Sequence, residues 1–166
     1  MTKVIVKLTA VGPNWNGACR NAVSDLNGLF KRNSINVVLA TTGQGPAISV
    51  RTDATIQGNA VHGRTSSQFN SSGGFVGADV RLPVKITINT PQGQRDAGAG
   101  VLEVVAAHEF VHALGHEDHN SHLMAQTMYK EAGNRGAGDK LKAGDVELPP
   151  LVLSADTVTT LQGLWP

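Results

Sequence analysis

Four of the chain's six histidines lie within twelve residues, in the segment HEFVHALGHEDH that runs from His108 to His119. His108 and His112 are four positions apart, so on a helix they lie one turn from each other on the same face and can bind one metal ion together. Glu109 lies between them but is rotated around the helix, where its carboxylate can hold a water molecule beside the ion. The His-Glu-x-x-His spacing therefore predicts a metal site with an adjacent general base.

The same residues also allow a plainer interpretation, in which His108 and His112 are ordinary histidines of an amphipathic helix. Two imidazoles beside a glutamate, on a helix otherwise rich in Val, Ala and Phe, favour the metal site over this alternative. Cys19 is the single cysteine, which excludes an internal disulfide and a cysteine-based zinc site. Any metal must therefore be bound by histidine and carboxylate, and Cys19 is expected to be a buried thiol.

The segment VLEVVAAHEFVHAL, residues 101–114, is predicted to be the helix that carries these groups. It contains no Pro or Gly, and Gly115 follows it at the position where a left-handed residue commonly ends a helix. His116 would face the same ion only if the helix continued through Gly115, so we do not expect it to be a ligand. His122 is expected to be a supporting or surface group.

The first part of the chain predicts a βαβ unit. Residues 3–11 are rich in β-branched side chains and predict a strand, and apolar residues recur at helical spacing over 16–31. Two more strands are predicted within 35–43 and at 47–52. A strand, a helix and a strand of these lengths imply a right-handed crossover between parallel strands.

The remaining segments are assigned from composition and alternation. Residues 53–77 are polar and rich in Gly and Ser, which predicts an exposed loop with at most an irregular edge strand. VKITINT, residues 84–90, shows the clearest strand alternation. The composition of residues 132–150, rich in Gly, Lys and Pro, predicts a loop. Its Gly-rich stretch 133–144 either lines a substrate pocket or is a solvated loop without a role.

A final helix is predicted near the end of the chain. Ser154 can cap it, and an apolar stripe follows, formed by Val158, Leu161 and Trp165. We see no internal repeat and no linker, so the chain is expected to be one domain.

Residues 105–129 resemble the extended zinc signature of the metzincin metallopeptidases, His-Glu-x-x-His-x-x-Gly-x-x-His/Asp followed by a methionine turn. HEFVHALG carries the first part of that signature, and HLMAQTMY is similar to the matrixin methionine-turn region, with Met124 at the position of the turn methionine. The closing LSADTVTTLQGLWP is similar to the matrixin C-terminal helix. Outside residues 105–129 the resemblance is only architectural.

The third metal ligand is where the chain departs from the matrixin pattern. Without a gap, the position three after Gly115 is Asp118, which resembles the snapalysin variant of the motif. A one-residue insertion would instead place His119 there, as in matrixins. Both residue types bind zinc at about 2.0–2.2 Å. We prefer Asp118, because the ungapped register needs no insertion, and keep His119 as the alternative.

The resemblance implies an α+β fold of zincin type: a twisted mixed β-sheet, two long helices of which one carries the zinc motif, and a small C-terminal subdomain with a final helix. It further implies that residues 1–166 form a single catalytic domain, with an upper subdomain at 1–115, a lower one at 116–166, and the active-site cleft between them. A substrate would lie extended along an edge strand near residues 75–82.

The implied activity is that of a zinc-dependent endopeptidase with one Zn²⁺, in which Glu109 activates a zinc-bound water that attacks the peptide bond. Met124 would form an apolar floor below the ion, and Tyr129 is a candidate oxyanion helper. One zinc is predicted because the second-zinc sequence of animal matrixins is missing, and His62 stands alone.

Two other functions fit the same motif: a zinc-stabilised module that binds peptides without cleaving them, and a zinc hydrolase of small amides with a closed pocket.

The expected partner is a peptide or protein substrate. The net charge of +1, without a stripe of Lys and Arg, argues against a nucleic-acid binder. No apolar run is long enough to span a membrane. We expect a monomer, and the resemblance implies an exported protein, although the opening MTKVIVKLTAVGP is interpreted as a strand rather than a signal peptide.

Overall fold

The structure is a computed structural model that describes residues 1–58, 63–90, 93–125, 142–143, 146–147 and 151–166. Within these ranges the fold is α+β, as predicted, with a five-stranded mixed sheet, two short two-stranded ribbons and three α-helices. In chain order the elements are β1 (Thr2–Ala10), α1 (Pro13–Arg32), β2 (Val37–Ala40), β3 (Ala47–Thr52), β4 (Arg64–Phe69), β5 (Phe75–Leu82), β6 (Thr87–Thr90), β7 (Gly93–Asp96), α2 (Ala99–Ala113), β8 (Lys142–Ala143), β9 (Val146–Glu147) and α3 (Ala155–Leu164).

The main sheet has the order β2-β1-β3-β5-β4. Neighbouring strands are parallel except at the last pair, where β4 runs antiparallel to β5. The predicted strand-helix-strand unit is present, since β1 and β2 are joined through α1 and pair in parallel. Both α1 and α2 contact the sheet and each other, and the core lies between them. Trp15 ties the start of α1 to the sheet, because its indole N–H donates to the carbonyl of Pro83 at 2.7 Å.

The edge of the sheet differs from the sequence prediction. Residues 53–77, expected to be an exposed loop with at most an irregular edge strand, contain the whole of β4, which does lie at an edge of the sheet, and the start of β5. The expectation that an edge strand lies near residues 75–82 is wrong, because β5 lies between β3 and β4, and β4 forms the edge on that side of the sheet. Exposed and half-buried residues alternate along β4. A strand with one open face and one open edge needs few apolar residues, which explains why its polar composition predicted a loop.

The helix that carries the predicted metal site is almost entirely buried. It ends at Ala113, and Gly115 then takes a positive φ of 102°, as predicted from its position after the last helical residue. A Cβ at Gly115 would lie 2.7 Å from Cζ of Phe69 and 2.9 Å from Cδ1 of Leu164. This turn therefore requires glycine for its backbone conformation and for the close approach of two neighbouring elements.

The predicted C-terminal helix and its cap are confirmed. The hydroxyl of Ser154 accepts a hydrogen bond from the backbone N–H of Thr157 at 3.1 Å. Leu161 and Trp165 are buried, and the indole N–H of Trp165 donates to the carbonyl of Leu114 at 3.0 Å, which links α3 to the end of α2. Among the helices in the described ranges, none is both long enough and apolar enough to cross a membrane.

Candidate metal centre

Three imidazoles converge at the end of α2. Nε2 of His112 lies 3.0 Å from Nε2 of His108 and 3.3 Å from Nε2 of His119. One nitrogen from each ring can be chosen so that all three lie within 4.8 Å of one another. His108 is buried, His112 is half-buried and His119 is exposed, so the cluster extends from the core to the surface. This is the arrangement that three ligands of a single ion require.

The helix and the turn after it bring these three rings together. His108 and His112 lie one turn apart on α2, as their spacing predicted. Gly115 then reverses the chain, so that the irregular segment beyond it returns past the end of the helix and carries His119 back to the other two. The positive φ at Gly115 is what allows this return within so few residues.

The second nitrogen of each helical histidine is bound to a main-chain carbonyl. Nδ1 of His108 lies 2.8 Å from the carbonyl oxygen of Leu123, and Nδ1 of His112 lies 2.6 Å from that of His116. A carbonyl oxygen only accepts, so each Nδ1 must carry the proton and each Nε2 has a lone pair that is directed at the cluster. The same carbonyls fix the orientation of both rings, as commonly seen around metal-binding histidines.

Such facing lone pairs fit a cation between them. A tetrahedral zinc ion bound to imidazole nitrogens at about 2.0–2.1 Å holds those nitrogens roughly 3.3–3.4 Å apart, close to the separations seen here. Without a cation, one ring would have to carry protons on both nitrogens. Burial opposes this, since it lowers the pKa of His112 below its ordinary value. The donor set therefore fits a divalent metal that prefers nitrogen ligands.

Asp118, the third ligand that the ungapped register favours, is exposed and does not belong to this group. The structure brings His119, the alternative, to the cluster. The residues after Gly115 are not helical, and in such backbone adjacent side chains point in different directions. A shift of one residue therefore decides which side chain reaches the ion, and spacing alone does not determine that shift.

His116 lies outside the cluster, as expected from the end of the helix before it. Its ring is buried, and its Nε2 lies 3.3 Å from Oγ1 of Thr157 and 3.4 Å from Nδ2 of Asn120. Its carbonyl holds His112. His116 therefore connects the start of α3 to the ring of His112. His122 is half-buried in the short 3-10 turn His122–Met124 and is also not part of the cluster.

Glu109, the predicted base, is only 5% exposed. The hydroxyl of Thr65 donates a hydrogen bond to its Oε2. Burial raises the pKa of Glu109 to about 7, and the hydrogen bond from Thr65 opposes that rise. A Cβ at Gly63 would lie 2.6 Å from the carboxyl carbon of Glu109, so the backbone of residue 63 passes directly against this group.

Met124 is fully buried at the end of its 3-10 turn, which agrees with an apolar position near the centre. The preceding residue, Leu123, supplies the carbonyl that holds His108, and its N–H donates to the carbonyl of Val152 at 3.1 Å. The methionine turn thus contacts the site through its main chain. Sequence reasoning missed this contact, because a carbonyl leaves no signal in residue type.

An open cleft of about 460 Å³ runs between the edge strand and the histidine cluster. Its walls come from β4, from α2 and from the loop after Gly115, and its lining residues are Gly63, Thr65, Ser66, Ser67, His108, Glu109, His112, Glu117 and His119. The base and all three histidines therefore face the same space. The contribution of β4 was not predicted, since a run of Thr and Ser carries no motif.

Three sequence-based assignments fall wholly or largely outside the described residues: Tyr129 as an oxyanion helper, His62 as an isolated histidine, and the stretch 133–144 as a pocket wall, of which the structure describes only β8. They remain predictions.

Compared with known proteins, the chain matches no family model and no curated protein. The likeness to metzincins therefore remains a resemblance over residues 105–129.

Proposed function

We propose that this chain is a zinc-dependent endopeptidase of metzincin type, with His108, His112 and His119 as metal ligands and Glu109 as the general base. One observation carries the proposal: three imidazole nitrogens converge next to a buried carboxylate, and both face the same open cleft. A histidine cluster alone would support a structural metal. The adjacent carboxylate and the accessible space favour catalysis.

The donor set favours zinc over the common hard cations. Three neutral imidazoles suit zinc and related transition metals, whereas calcium and magnesium prefer oxygen ligands. Three protein ligands also leave one position of a tetrahedral ion open, as in catalytic rather than structural zinc sites. When bound, zinc supplies Lewis acidity, which makes a coordinated water more acidic and polarises a substrate carbonyl.

The residues of the chain supply the proton transfers. Glu109 accepts the proton of the attacking water, and the protonated carboxyl then donates to the amine nitrogen as the peptide bond breaks. The carboxyl is shielded from bulk solvent, so the proton stays in the site between the two steps. No covalent intermediate with the protein is needed.

The position of β4 supports an extended peptide as the substrate. One side of this strand has no partner in the described sheet, so its main-chain N–H and C=O groups can pair with an added strand. That strand forms one wall of the cleft. We therefore favour a peptide over a small amide, which would be better held in a closed pocket.

The proposed zincin fold, with an upper subdomain at 1–115 and a lower one at 116–166, is compatible with the observed sheet and helices. Export and a monomeric state are further proposals, and they are implied by the resemblance alone.

The test is hydrolysis of a reduced and alkylated protein, followed by the appearance of new amino termini. We expect cleavage by the zinc-loaded protein, loss of cleavage with a chelator, and recovery when zinc is restored. Glu109→Gln should bind zinc like the parent and cleave at least about 1,000-fold more slowly, because the base is lost. Full metal binding and a lower melting temperature after chelation, without turnover by the parent, would instead indicate a zinc-stabilised peptide-binding module.

A further inference from the structure

We propose that Thr65 is a positioning residue for Glu109, and that Gly63 leaves the space that the Glu109 carboxylate occupies. This inference rests on the proposed function, because it assigns to the edge strand β4 a role in orienting the base in addition to the pairing of substrate. Nothing in the zinc motif itself points to residues 63 and 65.

The two carboxylate oxygens of Glu109 have different surroundings. The Thr65 hydroxyl donates to Oε2 of Glu109. The other oxygen, Oε1, lies against the backbone of Gly63, where an added Cβ would come within 2.6 Å of it. With Oε2 held by Thr65, rotation of the carboxylate about its last bond is restricted. The orientation of Oε1, the oxygen that remains for proton transfer, is thereby set by β4.

The hydroxyl is presented by a well-anchored part of the sheet. Thr65 lies opposite Val80 of β5, whose side chain is fully buried. Residues with inward side chains alternate with exposed ones along β4, so Thr65 faces α2 while Ser66 faces outward. Because the strand pairing fixes the backbone of Thr65, its hydroxyl needs little further ordering to reach the carboxylate.

A second contact fixes β4 against the same helix. At its far end the ring of Phe69 lies over Gly115, so close that a Cβ there would meet it at 2.7 Å. The strand β4 therefore contacts α2 and its end at two points. Thr65 contacts Glu109 on the helix, and Phe69 contacts Gly115 in the turn after it. Contacts at two points set how far β4 can slide along α2, and hence where the Thr65 hydroxyl lies.

The position of the base matters because proton transfer needs a short, aligned hydrogen bond. A glutamate side chain has several rotatable bonds, and in this site Thr65 is the hydroxyl bound to its carboxylate. Loss of that bond should lower the fraction of molecules in which Oε1 is correctly aimed. It should leave the metal ligands and the substrate-pairing edge as they are.

The first experiment compares Thr65→Val, which keeps the shape but loses the hydroxyl, with Thr65→Ser, which keeps the hydroxyl. Hydrogen bonds to charged groups lead us to expect a fall in kcat of about 10- to 100-fold for Thr65→Val. KM and zinc affinity should remain within about twofold of the parent, because neither depends on this bond. Thr65→Ser should restore most of kcat. Thr9→Val, the same change at an exposed position of β1, serves as the matched control.

The second experiment tests Gly63. Gly63→Ala should push the carboxylate away and lower kcat while zinc binding persists. Gly17→Ala is the control, since a Cβ on that exposed residue of α1 meets nothing within 4 Å. This pair also serves if Thr65→Val fails to fold.

Each outcome has a distinct meaning. Suppose that the parent binds zinc and cleaves. If Thr65→Val is then equally fast, or if Thr65→Ser is as slow as Thr65→Val, the positioning role is overturned and the proposed function stays intact. Loss of zinc affinity in Thr65→Val would also overturn the positioning role, in favour of a structural role. A parent that does not cleave would overturn the proposed function, and this inference with it.

Discussion

Nδ1 of His108 is hydrogen-bonded to the carbonyl oxygen of Leu123, fifteen residues further along the chain, at 2.8 Å. This contact sets the tautomer of a buried imidazole and aims its Nε2 at the histidine cluster. It also makes the residue before Met124 part of the support of the candidate metal site. His112 is held in the same way by the carbonyl of His116, so two turns of main chain determine the direction of two rings.

The identity of the third ligand can be tested by substitution. His119→Ala should lower zinc affinity by more than about 100-fold, since the loss of a ligand exceeds the 10- to 100-fold typical of outer contacts. Asp118→Asn should bind zinc like the parent, because Asp118 is not part of the cluster. Competition with a chromophoric chelator measures both. The reverse order of affinities would restore the ungapped register and remove His119 from the site.

The metal-bearing helix and the loop after it differ in how far their sequences predict their structure. The absence of Pro and Gly over residues 101–114 and the position of Gly115 were sufficient to predict α2, and residues 47–52 match β3 at both ends. These features depend on local backbone preferences. The choice between Asp118 and His119 depends on how irregular backbone turns in three dimensions, which residue types do not encode.

The edge strand and its contacts show a second limit of prediction from sequence. β4 owes its place to pairing with β5, and its Thr and Ser residues look like a loop until that pairing is known. The hydrogen bond from Thr65 to Glu109 joins residues 44 positions apart, and the carbonyls of Leu123 and His116 are common to every residue type. Contacts of this kind are set by the tertiary fold.

Zinc should stabilise the folded chain, because the three rings converge only when α2 and the returning loop are in place. Binding to the folded state alone adds about 2.7 kcal/mol to the free energy of unfolding at a free zinc concentration 100-fold above Kd. Thermal unfolding with and without zinc at neutral pH measures this effect. A melting temperature that does not respond to zinc at neutral pH would contradict a preformed site.

Glu103 should make the chain less stable as the pH rises. Burial between α1 and α2, together with a hydrogen bond to Asp25, raises its pKa from 4.5 to about 7, although Asn21 donates to it at 3.2 Å. Between these two pH values the folded state keeps a proton that the unfolded state has lost. This contribution is therefore complete below about pH 4.5 and is lost as the pH rises through 7.

Glu103→Gln removes that titration and keeps the shape of the side chain. The variant should be more stable than the parent at pH 8 and similar to it at pH 4.5, as measured by urea unfolding of the metal-free proteins. Glu117→Gln, the same substitution at an exposed position, is the control. If the difference between Glu103→Gln and the parent were the same at both pH values, the raised pKa would be wrong.

Cys19 should be unreactive while the chain is folded. It is fully buried in α1, and burial raises its pKa to about 12. At pH 8 about one thiol in ten thousand is then ionised, and the thiolate is the reactive form. Labelling by a thiol reagent should be slow in buffer and rapid in urea, with a native rate that follows unfolding. Complete labelling of the folded protein within minutes would contradict the burial of Cys19.

The metal centre itself is tested most directly by X-ray absorption at the zinc edge on the loaded, dialysed parent protein. We predict one zinc per chain, bound by three imidazole ligands at about 2.0–2.1 Å and by no sulfur. A spectrum that fits fewer than three imidazoles, or a protein that retains no zinc after dialysis, would contradict the account.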